Sequence, residues 1–506
     1  MKSVFTYYKS DLLSGLIVFF VALPLCLAIA LASGAPLFSG IVSGIVGGII
    51  VGAISQSHVS VSGPAAGLTA IVLSSIHTLG SFELFLTAVI LAGGIQLFLS
   101  FIKAGSISNY FPSNVIEGML TGIGIIIIIK QIPVALAFDE ENKIKFGLIE
   151  NQKEHIIFDF INAIHPGVFM ISLMSALVLI AFQRINFLKK LKLLPGGLVV
   201  VLLGVMMNEY LTYVQSIYRI ENNQLVSLPV VSHPYEILSQ LATPDFSRWM
   251  DTKIWSVAVT IAIVASIESL LSLEAAGKID PLKRYASGNR ELAAQGVGNI
   301  FSGLLGGLPL TSVIVRGSAN VSSGAKTKLS TIAHGIYLLV AVILIPGLLN
   351  KIPLASLAVI LIMVGYRLAS PSVFRHMWKN GKFQFIPFIT TVAAVVFLDL
   401  LQGVAIGMIV SIVFILRGNM KRAYFITKEG HKENAKIKIK LAQEVSFLNK
   451  AAIKQRLGRL PSGSHVIIDA SDTIYIDHDV RELIQDFYEV SAKEKNITIE
   501  MVGFKE

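Results

Sequence analysis

The chain has 506 residues, of which 54% are hydrophobic and only 15% charged, where a soluble domain carries about 25% charged residues. Its mean hydropathy is +0.70. This balance excludes a soluble globular protein, a collagen, a coiled coil, a disordered chain and a disulfide scaffold, and leaves a polytopic membrane protein. The net charge of +10 reads as positive-inside bias plus a basic tail. It does not read as nucleic-acid binding, because zinc-like Cys/His spacing and aromatic-basic interleaving are both missing. Cys26 is the single cysteine, so an intramolecular disulfide is impossible and a cysteine metal cluster is excluded.

A membrane span needs about 20 apolar residues. The run from Leu12 is too long for a signal h-region and lacks a convincing cleavage site, so it is expected to be a retained first span. Clear candidate spans are Leu12–Leu31, Phe38–Ile54, Phe82–Ile102, Val115–Ile132, Gly167–Phe182, Leu198–Met207, Ile254–Leu273, Ile332–Leu349, Leu354–Tyr366, Phe388–Leu401 and Val404–Leu416. Three weaker segments rich in Gly, Ser and Pro lie between them: Gly63–Ile76, Leu292–Leu308 and Val313–Val321. Together they make fourteen. Basic residues fall after the even-numbered spans and before the first. They include Lys2, Lys9, Lys103, Arg184, Lys190, Lys192, Lys283, Arg284, Arg290, Lys326, Lys328, Arg367, Arg375 and Arg422. The positive-inside rule makes that side cytoplasmic, with both termini on it. The more acidic loops Asp139–Asp159 and Asn208–Asp251 fall on the other side.

Seven spans plus seven put one glycine-interrupted segment third in each half. Matched broken segments point to an inverted-repeat transporter and its binding site. An odd number of spans per half forces the halves into opposite orientations. The expected division is a transmembrane domain over 1–417, with repeats of about 11–207 and 254–417, and a small cytoplasmic α/β domain over 418–506. In that tail Lys436–Phe447, His465–Ala470 and Ile497–Phe504 read as strands. Asn449–Leu460 and Val480–Lys493 read as helices.

Three segments carry chemistry. In Ser60-Val-Ser-Gly-Pro-Ala-Ala-Gly67, Gly63 and Pro64 suit an extended approach that becomes a helix start. A helix beginning inside the membrane aims free N–H groups and its positive dipole end inward, which favours an anion. The alternative is a packing kink. The counterpart is Gly306-Gly-Leu-Pro-Leu-Thr-Ser-Val-Ile-Val-Arg-Gly-Ser-Ala-Asn320, where a short helix should start near Val313. Arg316 then lies one turn inside, facing a cavity or a partner. The third is Ala265-Ser-Ile-Glu-Ser-Leu-Leu-Ser272: Glu268 lies mid-span, with Ser272 one turn on along the same face. This pair can bind Na+, or Glu268 can carry a proton, or Glu268 can form a structural ion pair with Arg316. Lys130 is expected to snorkel to the interface. A Walker A motif, a Rossmann fingerprint and a hydrolytic triad are all missing, so an enzyme is not expected and neither is any cofactor beyond Na+ or H+ as a coupling ion.

At these residues the chain resembles the SulP family of sulfate permease-like anion transporters. The most specific stretch is Asn289-Arg-Glu-Leu-Ala-Ala-Gln-Gly-Val-Gly-Asn299, with Ser302, Gly306-Gly-Leu-Pro309, Arg316, Asn320 and Gly324-Ala-Lys-Thr327. The resemblance implies a seven-plus-seven inverted repeat with core and gate domains, then a STAS-like tail. It places a small inorganic anion between the starts of spans three and ten. The implied contacts are Gly63, Pro64, Ala66, Thr69, Val313, Ile314 and Val315, with Arg316 behind them. Glu268 and Ser272 match the cation- or proton-coupling positions, so Glu268 is the expected Na+ ligand if sodium is the coupling ion. Ala22-Leu-Pro-Leu-Cys-Leu-Ala-Ile-Ala30 looks most like the bicarbonate-transporting branch, although that branch carries Asp where this chain has Glu268. In the tail, Asp477-His-Asp-Val480 stands where the family has Asp-Ser-Ser-Gly, so phosphorylation of that serine is not available. The tail should instead serve dimer contact, trafficking or binding of a regulatory protein. The expected protein is a secondary active transporter, a homodimer in the cytoplasmic membrane of a bacterium. Its partners are an inorganic anion and the lipid bilayer, not nucleic acid. The rivals are a dicarboxylate or nucleobase permease of the same fold, a passive anion exchanger or channel, a charge-moving membrane motor, and a membrane sensor.

Overall fold

Long apolar runs without water to satisfy their backbone must become helices, and the computed structural model is built of them. It describes residues 7–106, 112–137, 165–189, 195–216, 218–230, 234–398, 400–421, 423–429 and 436–504. The expected loop Asp139–Asp159 and the basic residues Lys2, Lys190, Lys192 and Arg422 lie outside the described residues. The first half comprises α1 (Tyr8–Ala32), α2 (Leu37–Ile54), strand β1 (Ser62–Pro64), α3 (Ala66–Leu79), α4 (Phe82–Phe101), α5 (Ser113–Ala135), α6 (Pro166–Arg184) and α7 (Gly196–Tyr213). The second comprises α8 (Thr252–Ile279), α9 (Gly288–Leu304), β2 (Leu310–Ser312), α10 (Ile314–Ser322), α11 (Leu329–Leu344), α12 (Leu354–Leu368), α13 (Lys382–Phe397) and α14 (Leu400–Lys421). All fourteen expected segments are present. Among the described residues nine helices are long and apolar enough to cross a membrane, and α3, α11 and α13 are shorter apolar helices.

The boundaries that differ have local causes. The ninth segment, read as far as Leu308, stops at Leu304 because the chain reverses at Gly306, whose φ is +74°. The eleventh stops at Leu344, and Pro346 begins a separate short turn of helix, Pro346–Leu349. The thirteenth, read as Phe388–Leu401, begins six residues earlier because α13 carries Pro387 within it instead of starting after it.

The chain divides into two compact units, 1–375 with 391–404, and 376–390 with 405–506. The expected boundary at 417/418 falls within α14. In the first unit the loops sort to two ends. At one, Arg290 Nε donates to Ile54 O, Ser100 Oγ donates to Asn289 O and Arg284 Nη1 donates to Lys326 O. This gathers the basic loops the sequence had placed on one side. At the other, Thr87 Oγ1 donates to Asp245 O and Val226 N donates to Ile352 O.

Asp11 ties the first of these ends together. It is fully buried near the start of α1 and accepts from Lys326 N at 2.7 Å, Thr327 N at 3.1 Å and Thr327 Oγ1 at 2.5 Å. The sequence reading overlooked it. Asp11→Ala strands three donors, two at buried Thr327 and one at half-buried Lys326, each buried one costing about 1–3 kcal/mol if unmade. We expect a loss of about 3 kcal/mol, read as a lowered thermal midpoint of the purified full chain in detergent.

In the second unit, β3 (Tyr424–Glu429), β4 (Lys436–Leu441), β6 (His465–Asp469) and β8 (Thr498–Val502) form one sheet in that order. The first pair is antiparallel and the other two are parallel. A small second sheet pairs β5 (Glu444–Val445) with β7 (Tyr475–Ile476). Ile437, Ile439 and Leu441 alternate inward along β4 and meet Val466 and Ile468. Behind them pack Ile453 and Leu457 of α15 (Lys450–Gly458) and Val480 and Ile484 of α16 (His478–Asp486). Of the three expected strands, Lys436–Phe447 ends at Leu441 and its Glu444–Val445 joins the second sheet; β7 was not expected, nor was β3, which follows α14 almost directly. Lys438 Nζ lies 2.8 Å from Asp469 and holds its carboxyl well below the usual carboxylate range. Asp477 caps α16 by accepting from Asp479 N.

Candidate anion site

Pro64 and Pro309 each interrupt a span, and the interruptions meet. β1 and β2 pair antiparallel, with Ser62 opposite Ser312, Gly63 opposite Thr311 and Pro64 opposite Leu310. Antiparallel pairing is what two halves of opposite orientation require. A two-stranded ribbon at membrane depth leaves edge groups that must find partners inside the protein. Helix α9 supplies most of them. Asn299 Oδ1 accepts from Leu310 N at 2.8 Å, and its Nδ2 donates to Gln96 Oε1 at 2.7 Å. One turn back, Gln295 Nε2 donates to Ser62 Oγ at 2.8 Å and to Glu291 Oε1 at 2.7 Å. Glu291 also accepts from Ser55 Oγ at 2.5 Å. Ser269 Oγ accepts from Ser312 N at 3.2 Å, and Val313 N donates to Val61 O at 2.9 Å. The stretch that carried the family resemblance therefore has a physical role. Residues 291, 295 and 299 recur every four positions on one helix face: Gln295 and Asn299 hold the ribbon, and Glu291 braces Gln295 and Ser55 behind it. The sequence reading quoted the stretch but gave its polar residues no task.

From this ribbon two helices start inside the protein. Ala65 is extended, and α3 opens with one tight turn over Ala66–Leu68. Val313 is extended, and α10 opens at Ile314. Both first turns leave N–H groups without an intrahelical partner. Beside them lies a cavity of about 170 Å³. Pro64, Ala66, Val313, Ile314, Val315, Arg316, Glu268 and Ser272 all line it, as does Gly67. Gly63 and Thr69 do not. Thr69 donates its hydroxyl back to Ala66 O at 2.8 Å, which secures the helix start. The lining that the sequence did not reveal comes from apolar residues of ordinary spans: Leu25 and Ile29 of α1, Met119 and Leu120 of α5, Val364 and Leu368 of α12. A drug-sized ligand needs about 300–1,000 Å³, so the space suits a small ion. Leu25, Ile314, Val315 and Val364 also line a larger vestibule of about 600 Å³, through which the cavity is reached.

Two ionisable side chains share the cavity without pairing. Arg316 is fully buried. Its Nη2 donates to Pro64 O at 3.3 Å and to Cys26 Sγ at 3.4 Å, while Nε and Nη1 have no partner. Gly63 is glycine for a visible reason, since a Cβ there would overlap Arg316 Nη1. Glu268 lies against Gly67, where a Cβ would sit 2.8 Å from Oε2, and that oxygen has no partner. Among the described residues the ion pairs within 4 Å do not include Glu268 with Arg316. The structural-pair alternative for these residues is therefore removed. The orphaned, buried carboxylate oxygen, with Ser272 one turn on, fits a small hard cation or a proton.

A model of the sulfate permease family matches residues 8–391. The chain belongs to the sulfate permease family. It is accordingly a membrane transport protein and not an enzyme. The YvdB protein of Bacillus subtilis (strain 168) is 26% identical over 430 residues, covering 85% of this chain and 77% of the relative. Bicarbonate transporter BicA of Picosynechococcus sp. is 25% identical over 418 residues, covering 81% and 70%. The solved transmembrane domain of a cyanobacterial BicA superposes with a TM-score of 0.64 at 24% identity, covering 78% of this chain and 97% of that one. The structure of SLC26A9 superposes with a TM-score of 0.73 at 17% identity, covering 99% and 85%. The fourteen-segment inverted-repeat fold of this chain is thus that of its family.

Proposed function

We propose that the protein is a secondary active transporter that takes up a small inorganic anion, bicarbonate or sulfate, by alternating access. The observation that carries this is the shared cavity: two helix starts and an unpaired Arg316 on one side, an unpaired Glu268 on another. The free amides and the guanidinium replace part of the anion's hydration. Glu268 would repel that anion unless a cation or proton neutralised it, so co-binding of Na+ or H+ becomes the condition for binding. The Ala22–Ala30 stretch favours bicarbonate, while the relatives are named as transporters of sulfate as well as of bicarbonate. The basic loops gather at the end reached through the vestibule, so by the positive-inside rule the cavity faces the cytoplasm. Residues 1–417 form the transport domain and 418–506 a STAS-like cytoplasmic domain, in a homodimer in the cytoplasmic membrane of a bacterium.

The test is uptake of labelled bicarbonate and sulfate into proteoliposomes under an imposed Na+ or pH gradient. Accumulation of either anion above equilibrium, driven by either gradient, is the expected result. Passive equilibration with no response to both gradients would indicate a channel or exchanger instead.

A further inference from the structure

Lys130, expected to snorkel, is exposed near the end of α5. It lines a second vestibule of about 620 Å³, at the carboxyl-terminal end of α3 and away from the one through which the anion cavity is reached. The two vestibules have no lining residue in common. Ser74 of α3 and Ser256 of α8 line it with their hydroxyls, while Thr78 and Thr260 donate theirs back to Ser74 O at 2.8 Å and Ser256 O at 2.9 Å. Val395 and Leu400, of α13 and α14, complete the far wall. Lys130 is the one charged side chain among the described lining residues, and among the described residues it has no carboxylate within 4 Å. Lys130 is exposed to the vestibule near the end of α5, where an unpaired cation attracts anions into the cleft.

The other mouth has a counterpart. Helices α5 and α12 pack with Gly124 and Gly365 in reciprocal contact, where a Cβ on either would lie 2.7 Å from the other's carbonyl oxygen. Past this crossing, α5 carries Lys130 into one vestibule and α12 carries Arg367 into the other. Each vestibule therefore has one cation among its described lining residues, carried by one of two crossing helices that are each fifth in their half, Lys130 six residues past the crossing and Arg367 two.

We propose that Lys130, with the hydroxyls of α3 and α8, forms an anion-collecting site at the mouth opposite the amino terminus. It holds a small hydrated inorganic anion before the α3–α10 cavity opens to that side. A single cation and a few hydroxyls give a weak site, and a site on a path must release its ion as readily as it captures it. A cation in a semi-enclosed cleft raises local anion concentration by about tenfold or more. This inference rests on the anion-transport reading above.

The test measures labelled bicarbonate and sulfate transport from each face of proteoliposomes, with orientation read by protease access to the tail. For Lys130→Gln, KM at the face opposite the amino terminus should rise about five- to tenfold. KM at the other face and the maximal rate should hold. Lys130→Arg should restore the wild-type KM, and Arg367→Gln should shift KM at the other face only. Wild-type transport with an unchanged KM in Lys130→Gln would overturn the proposal and leave the transport reading standing. So would a fall in maximal rate that Lys130→Arg does not rescue. Transport of neither anion by the wild type would overturn both.

Discussion

Replacing Arg316 by methionine should weaken anion binding about a hundredfold while leaving the protein as stable as before, or more so. The guanidinium is fully buried and has no carboxylate within reach. Burying a cation without a counter-ion costs several kcal/mol, and in the anion-free protein the fold bears that cost. Removing the charge strands no buried anion. It frees one carbonyl, that of Pro64, a penalty of about 1 kcal/mol. Methionine rather than alanine is the informative choice, because a large-to-small change leaves a cavity that alone costs about 2–5 kcal/mol. The binding loss has the opposite sign and is larger. A unit charge about 5 Å from the anion, at an effective dielectric constant of about 20, contributes roughly 3 kcal/mol, or a factor of about 100 in affinity. Binding of labelled anion and the thermal midpoint of the purified protein, measured together, separate the two effects. Unchanged affinity in Arg316→Met would remove this residue from the site.

The opposite behaviour of Arg316 and Asp11 explains what the sequence could and could not reveal. Arg316 and Glu268 stood out because a charge inside an apolar run is improbable unless it has a task. Position within the repeat then paired the two broken segments, and the structure joins them as β1 and β2. Asp11 sits at the edge of its span, where acids are unremarkable, and its three donors come from residues 326 and 327. A partnership across that separation has no local signal. The same holds for Met119, Leu120 and Val364, which wall the cavity while looking like any other lipid- or core-facing residue. Residues 291, 295 and 299 are an intermediate case. Their four-residue spacing was visible, but not that Gln295 and Asn299 hold a ribbon, because β1 and β2 are three residues each and carry no strand periodicity of their own. Strand β3 was missed for a related reason. Tyr424 begins it only three residues after α14 ends, so no turn signal separates helix from strand.

Glu268→Gln should convert concentrative uptake into equilibration. In the wild type the cavity holds one cation, Arg316, and one carboxylate, Glu268, that do not neutralise each other. An arriving anion gains from the first and loses to the second. Neutralising Glu268 with Na+ or a proton removes the loss, so the anion and its co-substrate each raise the other's affinity. That reciprocity is the coupling free energy, commonly about 1–3 kcal/mol. Glutamine keeps the volume beside Gly67 and is permanently neutral, so it imitates the neutralised state without requiring the co-substrate. The anion then binds and crosses whether or not Na+ or H+ is present. For one-to-one electroneutral symport, a tenfold gradient supports about tenfold accumulation in the wild type, since each factor of ten is 1.4 kcal/mol. In the variant the ratio of inside to outside anion should fall to about one under the same gradient, with downhill flux retained. Which dependence disappears identifies the ion: loss of Na+ dependence assigns sodium to Glu268, and loss of pH dependence assigns a proton. A variant that still accumulates anion against its gradient, with its Na+ or pH dependence intact, would place coupling elsewhere. The carboxylate in the cavity would then be only an obstacle that the anion passes.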